Sequence, residues 1–125
     1  MKANTQGQDL KVTAGGTFVI LKDILIGEVW LASGQSNMGF SIPKSTYAEE
    51  AHKLIPHPTF RRFKVGPYIA DEPLADIGGD GSFQHSNWRR GDDGLWRIVD
   101  NERFGLDWIS AVAAWFGHKV RISQH

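Results

Sequence analysis

Residues 24–32 read Ile-Leu-Ile-Gly-Glu-Val-Trp-Leu-Ala, a nearly continuous apolar run that ends at Ser33 and Gly34. Its length of nine residues and its content of Ile, Val and Trp favour a strand over a helix. A short apolar run bounded by glycine is typical of a strand that is buried on both faces, as in a parallel sheet covered by helices. The stretch therefore predicts a buried strand over residues 24–32 and an α/β fold with a parallel sheet.

Extended segments are also expected on both sides of this strand. Upstream, Ala14-Gly15-Gly16 predicts a turn, and the β-branched and aromatic residues at 17–21 predict an extended stretch. Residues 1–23 are therefore interpreted as an N-terminal extended segment that leads into a domain spanning residues 24–125. Downstream, residues 60–65 predict a second strand, and residues 68–95, which are rich in Gly, Asp and Pro, predict a long loop.

Two helices are expected in the same domain. The first spans residues 46–55, where Ser45 or Thr46 can act as the N-cap and Pro56 ends the helix. The second spans residues 107–120, with Asp107 as its N-cap. Apolar residues recur there at helical spacing and predict one inward-facing side, made of Ile109, Val112, Ala113, Phe116 and Val120.

The composition excludes several classes of protein. The 125 residues include 14 Lys and Arg against 14 Asp and Glu, so neither a nucleic-acid partner nor a polybasic membrane anchor is expected. Charges at Lys22, Asp23 and Glu28 interrupt the most apolar region and argue against a membrane span. The absence of Cys removes disulfides and thiolate chemistry. Residues 1–8 are polar and lack the apolar stretch of a signal peptide, so none is expected within this chain, and neither the compartment nor the oligomeric state follows from the sequence.

A serine follows the predicted buried strand within a turn of small and polar residues, Gly34-Gln35-Ser36-Asn37-Met38. A hydroxyl at the carboxyl end of such a strand would point into the crevice where open α/β folds bind ligands. If a helix began there, its first N–H groups would favour a developing oxyanion, as serine acyl transfer requires. The alternative is that Ser36 is an ordinary turn residue, because small polar turns after strands are common.

The order of residues 27–38, Gly-Glu-Val-Trp-Leu-Ala-Ser-Gly-Gln-Ser-Asn-Met, resembles the first sequence block of the SGNH hydrolases. It is most similar to the carbohydrate-esterase branch that includes the sialate O-acetylesterases. Residues 55–65 and 109–117 are similar to a strand and a helix of that branch. The resemblance implies a three-layer α/β/α flavodoxin-like fold and Ser36 as the nucleophile, its own N–H being one oxyanion donor. Gln35 and Asn37 are assigned to substrate binding, the substrate is an acylated carbohydrate, and no cofactor is expected.

The chain departs from that family where the general base should be. The family's catalytic His, which follows an Asp by three residues, belongs to a later block, and no Asp-x-x-His occurs in this sequence. Glu49 with His52 is a nominal Glu-x-x-His, but it falls on a predicted helix and is not expected to be catalytic. The chain is therefore interpreted as the N-terminal part of an esterase domain and is expected to be inactive alone. The alternative is a catalytically inactive carbohydrate-binding or structural domain of the same fold.

The other histidines and the acidic segments give no metal site. His118 and His52 are expected to be solvated or capping residues, and His57 to lie in a loop. No two histidines have the i,i+4 spacing that places ligands on one face of a helix. Residues 76–81 lack the later ligands of a calcium-binding loop.

An aromatic and cationic segment of the predicted loop is a further candidate for substrate contact. It consists of Trp88 and Trp96 with Phe83 and Arg89-Arg90, and His85 lies among the same aromatic residues. Aromatic faces can stack on sugar rings, and arginine can hold a carboxylate, which would suit an acidic sugar. The alternative is that these side chains fold back onto the domain.

Overall fold

The structure, a computed structural model, describes residues 3–65, 72, 96–102 and 105–123. The chain divides into two compact units, residues 1–31 and 32–125. Apart from Glu72, the predicted loop over residues 68–95 lies outside the described residues, and so do the candidates at positions 76–81 and 83–90.

The first unit contains a β-hairpin. Strand β1 (Gln8–Ala14) pairs antiparallel with β2 (Thr17–Ile24), so that Leu10 lies opposite Leu21 and Val12 opposite Val19. Gly15 and Gly16, at φ of 56° and 80°, form the two-residue connection. Positive φ at both central residues is the geometry of a type I′ turn, which matches the twist of the flanking strands. The predicted turn and extended stretch are confirmed, whereas β1 was not predicted.

The prediction of a buried strand over residues 24–32 is wrong. Strand β2 ends at Ile24, and residues 25–32 have no regular secondary structure. Val29 and Leu31 are 77% and 94% exposed, and the Trp30 indole donates a hydrogen bond to the carboxylate of Glu28. An apolar strand is buried on both faces only if neighbouring strands and helices cover it. In the first unit the described residues supply one antiparallel partner, β1, which reaches the run only at Ile24, where Gln8 lies opposite. Asn4 also hydrogen-bonds the backbone of Ile26, but residues 27–32 belong to no strand.

The second unit contains two α-helices and a short sheet. Helix α1 (Ala48–Leu54) is followed by β3 (His57–Phe63), β4 (Trp96–Val99) and α2 (Ala111–Ser123), and β3 pairs antiparallel with β4. Two 3-10 helices span Ile42–Lys44 and Leu106–Trp108. The predicted first helix and second strand are confirmed with shifted ends, but the predicted N-cap, Ser45 or Thr46, is wrong, because α1 begins later and Tyr47 precedes it. The core consists of buried residues from all these regions: Ile42, Ala51, Ile55, Val99, Leu106, Ala111 and Ala114.

The second predicted helix begins later and buries a different side. Ser110 rather than Asp107 caps α2, because its hydroxyl accepts a hydrogen bond from the Ala113 N–H at 3.4 Å. The buried residues of α2 are Ala111, Ala114 and His118. Of the apolar side predicted to point inward, Val112 and Phe116 are 53% and 46% exposed, whereas Ile109 packs against the core. Small residues let the helix approach its neighbours closely, and apolar spacing alone did not reveal this.

The expected three-layer α/β/α flavodoxin-like fold with a parallel sheet is therefore wrong. The described residues form two separate two-stranded sheets, and both are antiparallel. The parallel sheet was inferred from residues 24–32, and those residues are not a strand.

Candidate functional site: the Ser36 turn

Ser36 lies on a tight turn of residues 35–39 in the second unit. The Gln35 carbonyl oxygen accepts hydrogen bonds from the N–H groups of Met38, at 2.9 Å, and Gly39, at 3.2 Å. Gln35, Ser36 and Asn37 are all exposed. The Ser36 hydroxyl makes no hydrogen bond within the described part of the chain, so it is open to solvent and to a ligand. The turn thus presents the three residues that the sequence singled out, side by side at the surface.

Gly34, which precedes this turn, lies in close contact with the Met38 side chain. A Cβ atom placed on Gly34 would lie 2.6 Å from Met38 Cγ, well inside van der Waals contact. A side chain at position 34 would therefore force the Met38 side chain or the turn to shift. This contact gives a physical reason for the Gly and the Met in the sequence Gly-Gln-Ser-Asn-Met.

The chain that leaves the turn is attached to the start of α2. The Phe40 carbonyl oxygen accepts a hydrogen bond of 2.8 Å from the Ala111 N–H, and Ser41 forms an antiparallel bridge with Ser110. The Ser110 hydroxyl also lies 3.9 Å from Met38 Sδ, which fits a weak hydrogen bond to sulfur. Residues 38–41 are therefore fixed by contacts with the first turn of a thirteen-residue helix. Sequence reasoning missed Ser110, because nothing in the spacing of residues 38 and 110 indicates that they meet.

His52 takes part in a second polar cluster of the same unit. Its Nε2 atom lies 2.9 Å from Asp107 Oδ1, and its Nδ1 atom lies 2.7 Å from Asn101 Oδ1. The Asn101 amide in turn donates to the His52 carbonyl oxygen at 3.0 Å. His52 is 36% exposed, so it is partly solvated as expected, and it also connects α1 with the segments around residues 101 and 107. Both ring nitrogens are engaged, so His52 offers neither of them to a serine hydroxyl.

His118 is a buried residue of α2, which corrects the expectation that it is solvated or capping. It is 8% exposed, its ring meets Trp115 edge-on at 5.9 Å, and Arg121 Nη2 lies 3.4 Å from its Nδ1 atom. Burial lowers the pKa of His118 below 6.5, and the positive charges of Arg121 and Lys119 lower it further.

His57 opens strand β3 instead of lying in a loop. Its Nδ1 atom accepts a hydrogen bond from the Thr59 N–H and lies 2.8 Å from the Thr59 hydroxyl oxygen. This contact is local to the first residues of the strand. His52, His57 and His118 therefore each contact other residues of the described chain, and none of these contacts involves Ser36.

The described residues thus present an exposed hydroxyl on a fixed turn without a hydrogen-bonded base. They contain no group of three or more His, Asp or Glu side chains arranged to hold a metal ion. None of the helices in the described ranges is long and apolar enough to cross a membrane. A serine hydroxyl in this position would need a base beside it before it could act as a nucleophile.

Comparison with known proteins found no protein-family model, curated protein or solved structure that matches this chain. The resemblance to the SGNH hydrolases accordingly stays a prediction made from the residues themselves.

Proposed function

We propose that the chain carries the nucleophilic serine of an esterase that removes acyl groups, acetyl above all, from carbohydrates. The observation that carries this proposal is the exposed Ser36 hydroxyl on the turn of residues 35–39. The resemblance of residues 27–38 to the first block of the SGNH carbohydrate esterases supports the same assignment. Gln35 and Asn37 lie exposed on either side of Ser36 and would contact the sugar.

In the proposed reaction the Ser36 oxygen attacks the acyl carbonyl carbon and forms a tetrahedral adduct. A general base takes the hydroxyl proton, and the Ser36 N–H donates a hydrogen bond to the negative carbonyl oxygen. The ester bond then breaks, and the sugar oxygen leaves with the proton. Water attacks the acyl-serine in a second step, releases the carboxylic acid and restores the serine.

The base is the group that this proposal takes from outside the described residues. A serine hydroxyl is a weak nucleophile at neutral pH, and the loss of a triad member lowers kcat by about 10⁴- to 10⁶-fold in serine hydrolases. His52 is held by Asp107 and Asn101, and His118 is buried against Trp115. Because the sequence also contains no Asp-x-x-His, the spacing of the catalytic His in the resembled family, we expect the 125-residue chain alone to hydrolyse esters at close to the background rate.

The experiment measures acetate release from an O-acetylated sugar by two proteins, the 125-residue chain and the polypeptide that the natural coding region specifies. Ser36→Ala is compared with Ser33→Ala, which removes another exposed hydroxyl three residues away. The proposal expects hydrolysis by the natural polypeptide that Ser36→Ala abolishes and Ser33→Ala retains. Hydrolysis that survives Ser36→Ala refutes the nucleophile, and sugar binding without any hydrolysis favours the inactive binding domain.

A further inference from the structure

We propose that Ser110 is a positioning residue for the Ser36 turn and that it acts through Met38. The inference rests on the proposed function in one respect only, that Ser36 is the reacting residue. The contacts that carry it, between the turn and the start of α2, do not depend on any reaction.

The Ser110 hydroxyl can serve two partners at once. A hydroxyl has one proton to donate and two lone pairs that accept. In this structure its oxygen accepts from the Ala113 N–H at 3.4 Å, and its proton can be donated to Met38 Sδ at 3.9 Å. Threonine would keep both interactions, whereas alanine would lose both.

The turn depends on its C-terminal side for support. Residues 25–34, which precede it, have no regular secondary structure. Residues 40 and 41 are held by the Phe40–Ala111 hydrogen bond and by the Ser41–Ser110 bridge. Backbone contacts therefore fix the end of the turn, and the Met38 side chain connects the turn itself to Ser110.

Met38 links this contact to the backbone around Ser36. Its N–H closes the turn onto the Gln35 carbonyl oxygen at 2.9 Å, and its side chain fills the space beside Gly34. A shift of the Met38 side chain would move the carbonyl and amide groups on both sides of Ser36. Ser110 thus determines how firmly the nucleophile is held, although it does not touch it.

The test is the rate of amide hydrogen exchange in the 125-residue chain, measured by NMR without substrate. In Ser110→Ala we expect the Met38 and Gly39 amides to exchange at least about 5-fold faster relative to the hydrogen-bonded Ala51 and Ile55 amides of α1, which report overall stability. Ser110→Thr should restore the original ratio. Equal acceleration of all four amides would show a merely structural role and overturn the proposal.

Two further variants separate the sulfur contact from the helix cap. Met38→Leu keeps the apolar volume, removes the sulfur acceptor and leaves the Ser110–Ala113 hydrogen bond in place. It should speed exchange at Gly39 and leave the Ala114 amide of α2 unchanged. Ser45→Ala, which removes a hydroxyl bonded to the Ile42 carbonyl oxygen, is the matched control and should not change the turn. An unchanged Gly39 rate in Met38→Leu would refute the role of Met38, whatever the hydrolysis experiment shows for Ser36.

Discussion

Gly117 of α2 lies against the ring of Phe60 in β3, and this contact predicts the sign of a substitution. A Cβ atom at position 117 would lie 2.5 Å from Phe60 Cζ and 2.8 Å from Cε2. Carbon atoms prefer about 3.5–4.0 Å, so one of the two groups would have to move by about 1 Å. Because Phe60 packs against the core, its ring cannot move without disturbing other contacts.

Gly117→Ala therefore sets two opposing effects against each other. Alanine is favoured over glycine in a helix interior by about 1 kcal/mol, whereas overpacking costs about 1–3 kcal/mol. We expect Gly117→Ala to lower the free energy of unfolding by about 1 kcal/mol, as measured by urea denaturation followed by circular dichroism. Phe60→Leu removes the ring atoms that clash, and in that background Gly117→Ala should raise stability by up to about 1 kcal/mol. The same positive change in both backgrounds would refute the contact.

Three further outcomes follow from the second unit. Ala114→Asp places a charge where the side chain is fully buried and should cost at least about 3 kcal/mol in urea denaturation, whereas Val112→Asp, at a 53% exposed position, should cost under about 1 kcal/mol. Asp107→Asn weakens a half-exposed pair with His52 and should cost under about 1 kcal/mol, a loss that added salt should reduce. The folded-state pKa of His118 is lowered, so the contribution of its neutral ring to the free energy of unfolding is fully present above pH 6.5 and is lost as the pH falls through the folded-state pKa. The free energy of unfolding measured against pH should therefore fall less steeply in His118→Gln.

The sequence predicted those features whose causes are local. Gly15 and Gly16 can adopt positive φ without steric cost, as a type I′ turn requires, so the turn before β2 could be predicted from these two residues. Pro56 ends α1 because proline cannot supply an N–H to continue the helix. The exposed position of Ser36 also followed, although the predicted reason, a preceding buried strand, was wrong.

The features that the sequence did not predict depend on contacts between distant residues. An apolar stretch such as residues 24–32 is a buried strand only where other elements cover it. The caps of α2 could not be distinguished by sequence, since both Asp107 and Ser110 are good N-cap residues. The Asp107 carboxylate instead pairs with His52, which lies fifty-five positions earlier, and no local sequence pattern predicts that pair.

The contact between Gly34 and Met38 also restricts the order in which these two positions can change over time. Gly34→Ala as a first step places a methyl group 2.6 Å from Met38 Cγ, so either the Met38 side chain or the turn must shift. Met38→Ala as a first step only opens space, which a later Gly34→Ala can occupy. The same pair of substitutions therefore costs more stability along one route than along the other, so a long side chain at position 38 favours keeping the glycine at position 34.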